Sequence, residues 1–360
     1  MDINTKELNH LHHYGFDDAR IKEAAAYPHL HVARVVSQEK GFYRVICGSG
    51  EVVAEISGNI RYNAQEPADY PAVGDFVMVD RPSHVGGHAI IHHILPRKSL
   101  FSRKTAGKKA GAQVVAANID KVFICMSLTE DFNTRRLERY LALTWESGAT
   151  PVVVLTKADL CQELERKVYA VHGVALGVDV IVTSAMDQEG YEHIYDEIKP
   201  GKTVALIGSS GVGKSTLINR LLYDERLATK PIREKDGRGR HTTTRRELFH
   251  LPNGGTVIDT PGMREMGMWE ASSGIDRTFA DVEELMGSCR FRNCTHTSEP
   301  GCAIHEALES GELSRKRWQS YEKLMAETSY SGDREGYLLM KEKKFKTIAK
   351  ENKKGNKHKY

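Results

Sequence analysis

A glycine-rich loop, GSSGVGKST at residues 208–216, is the segment of this chain best suited to chemistry. It fits the pattern G-x-x-x-x-G-K-[ST], whose backbone amides surround nucleotide phosphates, and the apolar run TVALI leads into it. We expect Lys214 to contact the β- and γ-phosphates and to assist catalysis, and Ser215 to bind Mg²⁺. An ordinary glycine turn between a strand and a helix is the alternative. The predicted phosphate-binding residues are Gly208, Ser209, Ser210, Gly211, Val212, Gly213, Lys214, Ser215 and Thr216.

A second phosphate-side signature, D-x-x-G, spans residues 259–262 and follows apolar strand-like residues. We expect Asp259 to hold Mg²⁺ through water and the Gly262 amide to meet the γ-phosphate. Between the two signatures lies GRGRHTTT, at residues 237–244, whose threonines suit direct Mg²⁺ ligation. Thr243 is the predicted ligand, with its neighbouring threonines as alternatives, and we expect this loop to become ordered with the γ-phosphate.

The residues expected to recognise the base come earlier in the chain. The sequence TKAD at residues 156–159 ends a strand-like run, and its aspartate can accept hydrogen bonds from two donors of guanine that adenine lacks. The predicted base-binding residues are Thr156, Lys157, Ala158, Asp159, Ser184 and Ala185, the last two from TSA at residues 183–185. Because the guanine motifs precede the phosphate motifs, the order predicts a circularly permuted GTPase, which is tolerable since domain termini lie close together.

The residue after D-x-x-G, where many GTPases have a water-orienting glutamine, is Met263. A thioether cannot polarise water, so we expect slow intrinsic hydrolysis. His241, next to the threonines of the first switch, is the predicted catalytic group, because an imidazole can orient or deprotonate water near neutral pH. The alternative is a solvent-exposed loop histidine.

A cysteine cluster, CRFRNCTHTSEPGC, occupies residues 289–302. Three thiolates and one imidazole within so short a span predict a closed, structural Zn²⁺ site. His305 is an alternative fourth ligand, and free thiols in a loop are the alternative to a metal site. The predicted ligands are Cys289, Cys294, His296 and Cys302.

The residue patterns around these motifs divide the chain into three regions with different predicted secondary structure. Short β-rich runs with glycine turns over residues 32–96 favour a small barrel, an OB-fold ahead of an SH3-like barrel or a sandwich. Apolar runs that alternate with helical patterns favour a doubly wound parallel sheet covered on both faces. The chain then becomes helical and polar. The expected domains are an N-terminal helical extension (1–31), an OB-fold barrel (32–96), a permuted GTPase (97–274), a zinc-binding helical domain (275–330) and a basic tail (331–360).

Composition narrows the functional classes further. The chain has 360 residues and a net charge of +3, and it contains neither a long apolar run nor a signal-like N-terminus, so we expect a cytosolic protein without membrane contact. We also expect it to be a monomer. Residues 97–109 carry six basic residues and no acid, and residues 341–360 carry nine lysines against two glutamates. Such segments are usually solvated and flexible, and they suit a polyanion.

Taken together, these motifs resemble the RsgA/YjeQ family of ribosome-dependent GTPases. The resemblance rests on QVVAANID (113–120), GRHTTT (239–244), DTPG (259–262), the cysteine cluster and the permuted order. It implies an OB-fold, a permuted GTPase and a zinc domain. It also implies that the protein binds the 30S subunit and its 16S rRNA, assists late maturation and hydrolyses GTP to GDP under stimulation by that subunit. The family's G-R-H-T-T-T histidine supports His241 as the catalytic group.

Two other functions remain open from the residues alone. The chain could be a non-catalytic RNA-binding assembly factor that uses GTP only as a conformational ligand. It could also be a GTPase with a protein or membrane partner, although that interpretation leaves the basic segments unexplained and no lipidation motif is present.

Overall fold

The structure, a computed structural model, describes residues 10–39, 41–104, 112–184, 190–223, 246–259 and 272–332. The chain divides into two compact units, Met1–Gly267 and Met268–Tyr360. In the described part of the chain, no helix has the length and apolar character needed to cross a bilayer.

The first unit contains a closed five-stranded barrel, which follows the N-terminal helical residues. β1 pairs with β2 on one side and with β4 on the other, and a parallel β3–β5 pair completes a closed order of β1-β2-β3-β5-β4. This is the Greek-key closure of an OB-fold, as the sequence predicted. Alternate side chains such as Val35, Val45 and Ile91 fill the interior. The strands are β1 (His31–Gln38), β2 (Tyr43–Cys47), β3 (Gly50–Ile56), β4 (Phe76–Val79) and β5 (Ala89–Ile94).

The nucleotide-binding half of this unit is built on a six-stranded sheet in the order β10-β9-β8-β11-β13-β12. All neighbouring pairs are parallel except β12–β13, and most of the strands are buried apolar runs. The predicted doubly wound sheet is therefore confirmed, although β12 was not anticipated. The strands are β8 (Lys121–Ser127), β9 (Thr150–Thr156), β10 (Asp179–Val182), β11 (Thr203–Ile207), β12 (Glu247–His250) and β13 (Thr256–Asp259).

Besides a short helical stretch at residues 10–13, six helices accompany these strands in the described part of the first unit. The longest begins after Asn133, whose side chain caps it by accepting a hydrogen bond from the Arg136 amide at 3.1 Å. The helices are α1 (Asp18–Ala24), α2 (Gly58–Asn63), α3 (Thr134–Glu146), α4 (Leu164–His172), α5 (Tyr191–Glu197) and α6 (Lys214–Leu222).

The basic segment after the barrel, which we expected to be solvated and flexible, is partly buried over residues 97–102. It forms β6 (Leu100–Lys104), which pairs antiparallel with β7 (Ala112–Ala117) in a separate hairpin. Phe101 is fully buried, and Arg97 forms a bidentate ion pair with the buried Asp75 at 2.7 and 2.8 Å. The apolar positions of this strand are hidden among basic residues, which is why composition suggested a loop.

A buried arginine joins the barrel to the nucleotide-binding half. Arg34 on β1 is 1% exposed, and its guanidinium donates to the Gly74 carbonyl at 3.2 Å, to the Asn118 carbonyl at 3.3 Å and to the Thr203 hydroxyl at 2.9 Å. Burial lowers the pKa of Arg34 to about 10. Gly74 has φ +93°, and a Cβ there would lie 2.2 Å from the Ala117 carbonyl, so only glycine permits this close approach.

The second unit is helical in its described part, as predicted. Arg317 is buried and forms a bidentate ion pair with Asp281 at 2.6 and 3.0 Å, while its guanidinium stacks over Phe279. Its helices are α7 (Ser272–Thr278), α8 (Ala280–Gly287), α9 (Ala303–Ser310) and α10 (Arg315–Gly332).

Candidate nucleotide site and metal centre

The phosphate loop joins β11 to α6, in the position the sequence predicted. Gly208 has φ +144°, and a Cβ there would lie 2.3 Å from the Cys125 carbonyl of the neighbouring strand, so the loop can leave the sheet only at a glycine. Gly213 has φ +102° and turns the chain into α6. The remaining predicted phosphate-binding residues, Ser209, Ser210, Gly211, Val212, Ser215 and Thr216, lie in this loop or in the first turn of the helix.

Lys214 is folded over this loop. Its Nζ donates to the Gly208 carbonyl at 2.8 Å and to the Ser209 carbonyl at 2.7 Å. The ammonium group is thereby held at the N-terminus of α6, where the helix amides also favour an anion. The loop therefore combines a positive charge with backbone donors.

The predicted base-recognition residues that the structure describes lie at the carboxyl ends of β9 and β10. Lys157 adopts a left-handed conformation (φ +61°) that ends β9, and Asp159 follows in a short 3₁₀ turn. The Ser184 hydroxyl donates to the exposed Asp159 carboxylate at 3.1 Å, and the Ala158 amide donates to the Thr183 carbonyl at 3.1 Å. The two motifs are thus held side by side.

One hydrogen bond connects the base side to the phosphate side. The Thr156 hydroxyl donates to the Val212 carbonyl at 2.6 Å, and both residues are buried. Thr156 stands where GTPases more often have asparagine, and its shorter side chain still reaches the phosphate loop. Two segments that are 56 residues apart in the chain therefore meet at one sheet edge.

Asp259 ends β13, and its Cα pairs with that of Leu206 on β11, one strand from the phosphate loop. Burial raises the pKa of Asp259, Lys214 opposes that rise and Glu247 adds to it. A buried carboxylate and the Ser215 hydroxyl supply hard oxygen donors, which fit Mg²⁺. These two residues would hold the cation, which neutralises phosphate charge when it is bound.

Four predicted site residues lie outside the described residues: Ala185, His241, Thr243 and Gly262. Met263 and the alternative threonines of the first switch also lie outside them.

The cysteine cluster brings its four predicted ligands together. The candidate ligand atoms of Cys289, Cys294, His296 and Cys302 all lie within 4.8 Å of one another. The His296 Nδ1 atom is 3.6 Å from the Cys289 Sγ and 3.5 Å from the Cys302 Sγ. Zinc–sulfur and zinc–nitrogen bonds of about 2.3 and 2.1 Å at a tetrahedral angle imply a separation of about 3.6 Å, so this donor set fits Zn²⁺.

Two residues beside the cluster contact the backbone around its histidine. The Nε2 atom of His305 is 3.2 Å from the His296 carbonyl, which makes it a neighbour of the cluster and not a member. The Glu299 carboxylate accepts hydrogen bonds from the Thr295, Thr297 and Ser298 amides at 2.9, 3.0 and 3.1 Å. Sequence reasoning missed Glu299, although an acidic residue within a Thr/Ser-rich turn is a signal for such bonds.

Comparison with known proteins identifies the family. A model of the RsgA GTPase family matches residues 94–269. The protein named small ribosomal subunit biogenesis GTPase RsgA 2 from Lactiplantibacillus plantarum is 49% identical over 84% of this chain and 84% of its own length. A relative from Oceanobacillus iheyensis, named small ribosomal subunit biogenesis GTPase RsgA 1, is 45% identical over 90% of this chain and 93% of its own.

Solved structures show the same architecture. YjeQ from Thermotoga maritima is 27% identical with a TM-score of 0.60 and covers 82% of this chain and 97% of its own. YloQ, described as a circularly permuted GTPase, is 26% identical with a TM-score of 0.58 and covers 85% of this chain and 96% of its own. The predicted resemblance, the multidomain α/β fold and the GTP hydrolase activity are confirmed. The chain therefore belongs to the RsgA family of circularly permuted GTPases.

Proposed function

We propose that this GTPase binds the 30S ribosomal subunit and assists its late maturation, hydrolysing GTP to GDP and phosphate under stimulation by that subunit. The hydrogen bond between Thr156 and Val212 carries the nucleotide part of the proposal, because it joins the base-recognition loop to the phosphate loop. The names of the relatives support the subunit as the partner.

Guanine specificity rests on Asp159. Its carboxylate is exposed and braced by Ser184, so free lone pairs remain for the two donors of guanine. Adenine lacks both donors, and a bound adenine would leave a covered carboxylate unpaired, at a cost of about 1–3 kcal/mol or more. Lys157 would pack its stem over the base, and Ala158 and Ser184 would supply neighbouring contacts.

Hydrolysis in this proposal depends on His241, which would orient or deprotonate water, while Lys214 stabilises charge on the phosphates. Thr243 and Ser215 would hold Mg²⁺ directly, Asp259 would hold it through water and the Gly262 amide would meet the γ-phosphate. Phosphoryl transfer is mostly positioning and electrostatics, so a partner that orders these groups acts as an activator.

Contact with 16S rRNA is assigned to the barrel, the basic segment at residues 97–109, the zinc-binding domain and the lysine-rich tail. OB-fold barrels bind oligonucleotides on their strand 2–3 face, and a lysine-rich segment neutralises phosphates. We propose the domain boundaries given by the sequence (1–31, 32–96, 97–274, 275–330 and 331–360), a cytoplasmic location and a monomeric state.

The proposal is tested by measuring GTP turnover with and without purified 30S subunits. The wild-type protein should turn over slowly alone and faster with the subunit, and His241→Ala should lose the stimulated rate while binding fluorescent GDP as before. His172→Ala is the matched control, because His172 is an exposed histidine in the same half of the unit. A wild-type rate that 30S subunits leave unchanged contradicts the proposal.

A further inference from the structure

A row of polar side chains crosses four adjacent strands, from the barrel to the candidate Mg²⁺ site. In the sheet register, Arg44 on β2 pairs with Ser37 on β1, and Ser37 pairs with Glu247 on β12. Glu247 in turn pairs with Asp259 on β13. Residues directly opposite each other in antiparallel strands point to the same face, so all four side chains lie on one face of the sheet.

The ends of this row are joined electrostatically. The Arg44 Nη1 atom lies 2.9 Å from the Glu247 carboxylate and so reaches across the intervening strand. Its other nitrogens bind Glu51 on β3, one of them at 2.8 Å. The Arg44 guanidinium thereby holds the Glu247 carboxylate toward the barrel, although the Glu247 backbone lies opposite Asp259.

Ser37, in the middle of the row, leaves room for the Arg44 side chain to contact Glu247. Ser37 is 3% exposed, and its hydroxyl has no hydrogen-bond partner among the described residues. A bulge in β1 between Val35 and Ser37 shifts the register here and sets Ser37 opposite Arg44. A larger side chain at this position would stand between the guanidinium and the Glu247 carboxylate.

We propose that Glu247 is a positioning residue for the Mg²⁺-bound nucleotide. In this proposal, Arg44 of the barrel determines how strongly the negative charge of Glu247 acts at Asp259. When Arg44 holds Glu247, its positive charge offsets part of the negative charge of that carboxylate, because Glu51 shares the same guanidinium. When Arg44 is removed or drawn elsewhere, an uncompensated carboxylate one strand from Asp259 attracts the cation more strongly. This inference rests on the proposed function only in requiring that a guanine nucleotide binds here with Mg²⁺.

The position of Arg44 also allows a ligand bound to the barrel to affect the nucleotide site. Arg44 lies on β2, one of the two strands whose face binds oligonucleotides in OB-folds. Phosphates bound there compete with Glu247 for the guanidinium, because both are anions. Occupying the barrel with a polyanion therefore acts in the same direction as removing the Arg44 charge.

The test measures binding and not turnover. Fluorescent GDP is bound to the full-length protein, and Mg²⁺ is titrated to find the concentration that gives half of the fluorescence change. One unit charge on the strand next to Asp259 is expected to change the affinity for the cation about fivefold. Arg44→Gln should therefore lower the half-maximal Mg²⁺ concentration about fivefold, and Glu247→Gln should raise it about fivefold. The double variant should return close to the wild-type value.

Controls separate charge from packing. Arg81→Gln should leave the Mg²⁺ concentration unchanged, because Arg81 is a barrel arginine that pairs with Asp80. Arg44→Lys keeps the charge and should behave as wild type. A shift in Arg44→Lys as large as in Arg44→Gln overturns the inference, as do wild-type values in both single variants with GDP still bound. A wild-type protein that binds no GDP would instead overturn the proposed function.

Discussion

Replacing Asp159 with asparagine should change which purine this protein binds. The substitution keeps the size of the side chain and replaces one carboxylate oxygen by an NH₂ donor. In the structure, the Ser184 hydroxyl occupies one carboxylate oxygen at 3.1 Å, so the remaining lone pairs are those available to guanine. The asparagine NH₂ group would then face an N–H donor of guanine, and two donors cannot form a hydrogen bond.

The size of the effect follows from the bonds that are lost. A hydrogen bond to a charged group contributes about 1.5–3 kcal/mol, and the variant weakens two of them. A loss of about 3 kcal/mol corresponds to about 100-fold weaker binding of GDP. Xanthine has a carbonyl oxygen where guanine has its exocyclic amine, so the asparagine NH₂ can donate to it, and xanthosine diphosphate should gain affinity in the variant.

Competition against fluorescent GDP with unlabelled GDP, XDP and ADP measures both changes. Ser184→Ala serves as the control, because it removes the brace on Asp159 and leaves the carboxylate itself. It should weaken GDP binding a few-fold and retain the preference for guanine. If Asp159→Asn binds GDP and XDP as the wild type does, the base is not recognised by this loop.

Three further outcomes are expected. Thr156→Val, which removes the hydroxyl bonded to Val212, should weaken GDP binding about fivefold in the same competition assay, and unchanged affinity would mean that the bond does not brace the loop. Removing Zn²⁺ with a chelator should release one equivalent of metal and unfold the second unit, as followed by metal analysis and circular dichroism; Cys302→Ser should bind no Zn²⁺, whereas Cys161→Ser should bind it normally. Burial alone raises the pKa of Asp120, but Lys98, the Thr203 amide and Lys202 together lower it below its usual value. Its carboxylate therefore stabilises the fold above about pH 4, and this contribution should vanish as the pH falls through the lowered pKa. Urea unfolding of wild type and Asp120→Asn should converge at acid pH, and an equal difference at all pH values would contradict this.

The placement of the candidate base and phosphate loops was predictable because each of them follows a strand. Buried parallel strands read as apolar runs, and their carboxyl ends meet at one edge of the sheet. Once β9 and β11 were recognised as parallel strands, the loops after them were expected at the same edge of the sheet, whatever their order in the chain; the structure separates the two strands by β8 alone. The hydrogen bond from Thr156 to Val212 is the local consequence of that topology.

Other elements were missed because their signals are short or mixed. β12 covers only Glu247–His250 and carries a charge at one end, so it lacks an apolar run. β6 has only two apolar residues, Leu100 and Phe101, and basic residues flank them on both sides, so it also lacks an apolar run. In both cases pairing with a partner strand, and not local propensity, decides the structure.

The connection between the barrel and the nucleotide-binding half has no sequence signal at all. Arg34 lies in the middle of an apolar strand, where a charged side chain argues against burial. Its guanidinium is nevertheless buried, because it donates to Asn118 and Thr203, which lie 84 and 169 residues later in the chain. Buried charges persist only where such partners satisfy them. A single sequence offers no means of pairing residues so far apart.

That connection bears on how a partner on the barrel reaches the nucleotide. Thr203 is the first residue of β11, the strand that leads into the phosphate loop, and it receives the Arg34 guanidinium at 2.9 Å while its amide donates to Asp120 at 2.8 Å. The start of this strand is therefore fixed to β1 by buried polar contacts. Breaking those contacts would leave a buried guanidinium unpaired, which is costly. The barrel and the phosphate strand should consequently move together. The Arg44–Glu247 ion pair, in contrast, is about one-third exposed, so a bound polyanion can change this contact without breaking the buried contacts of Arg34.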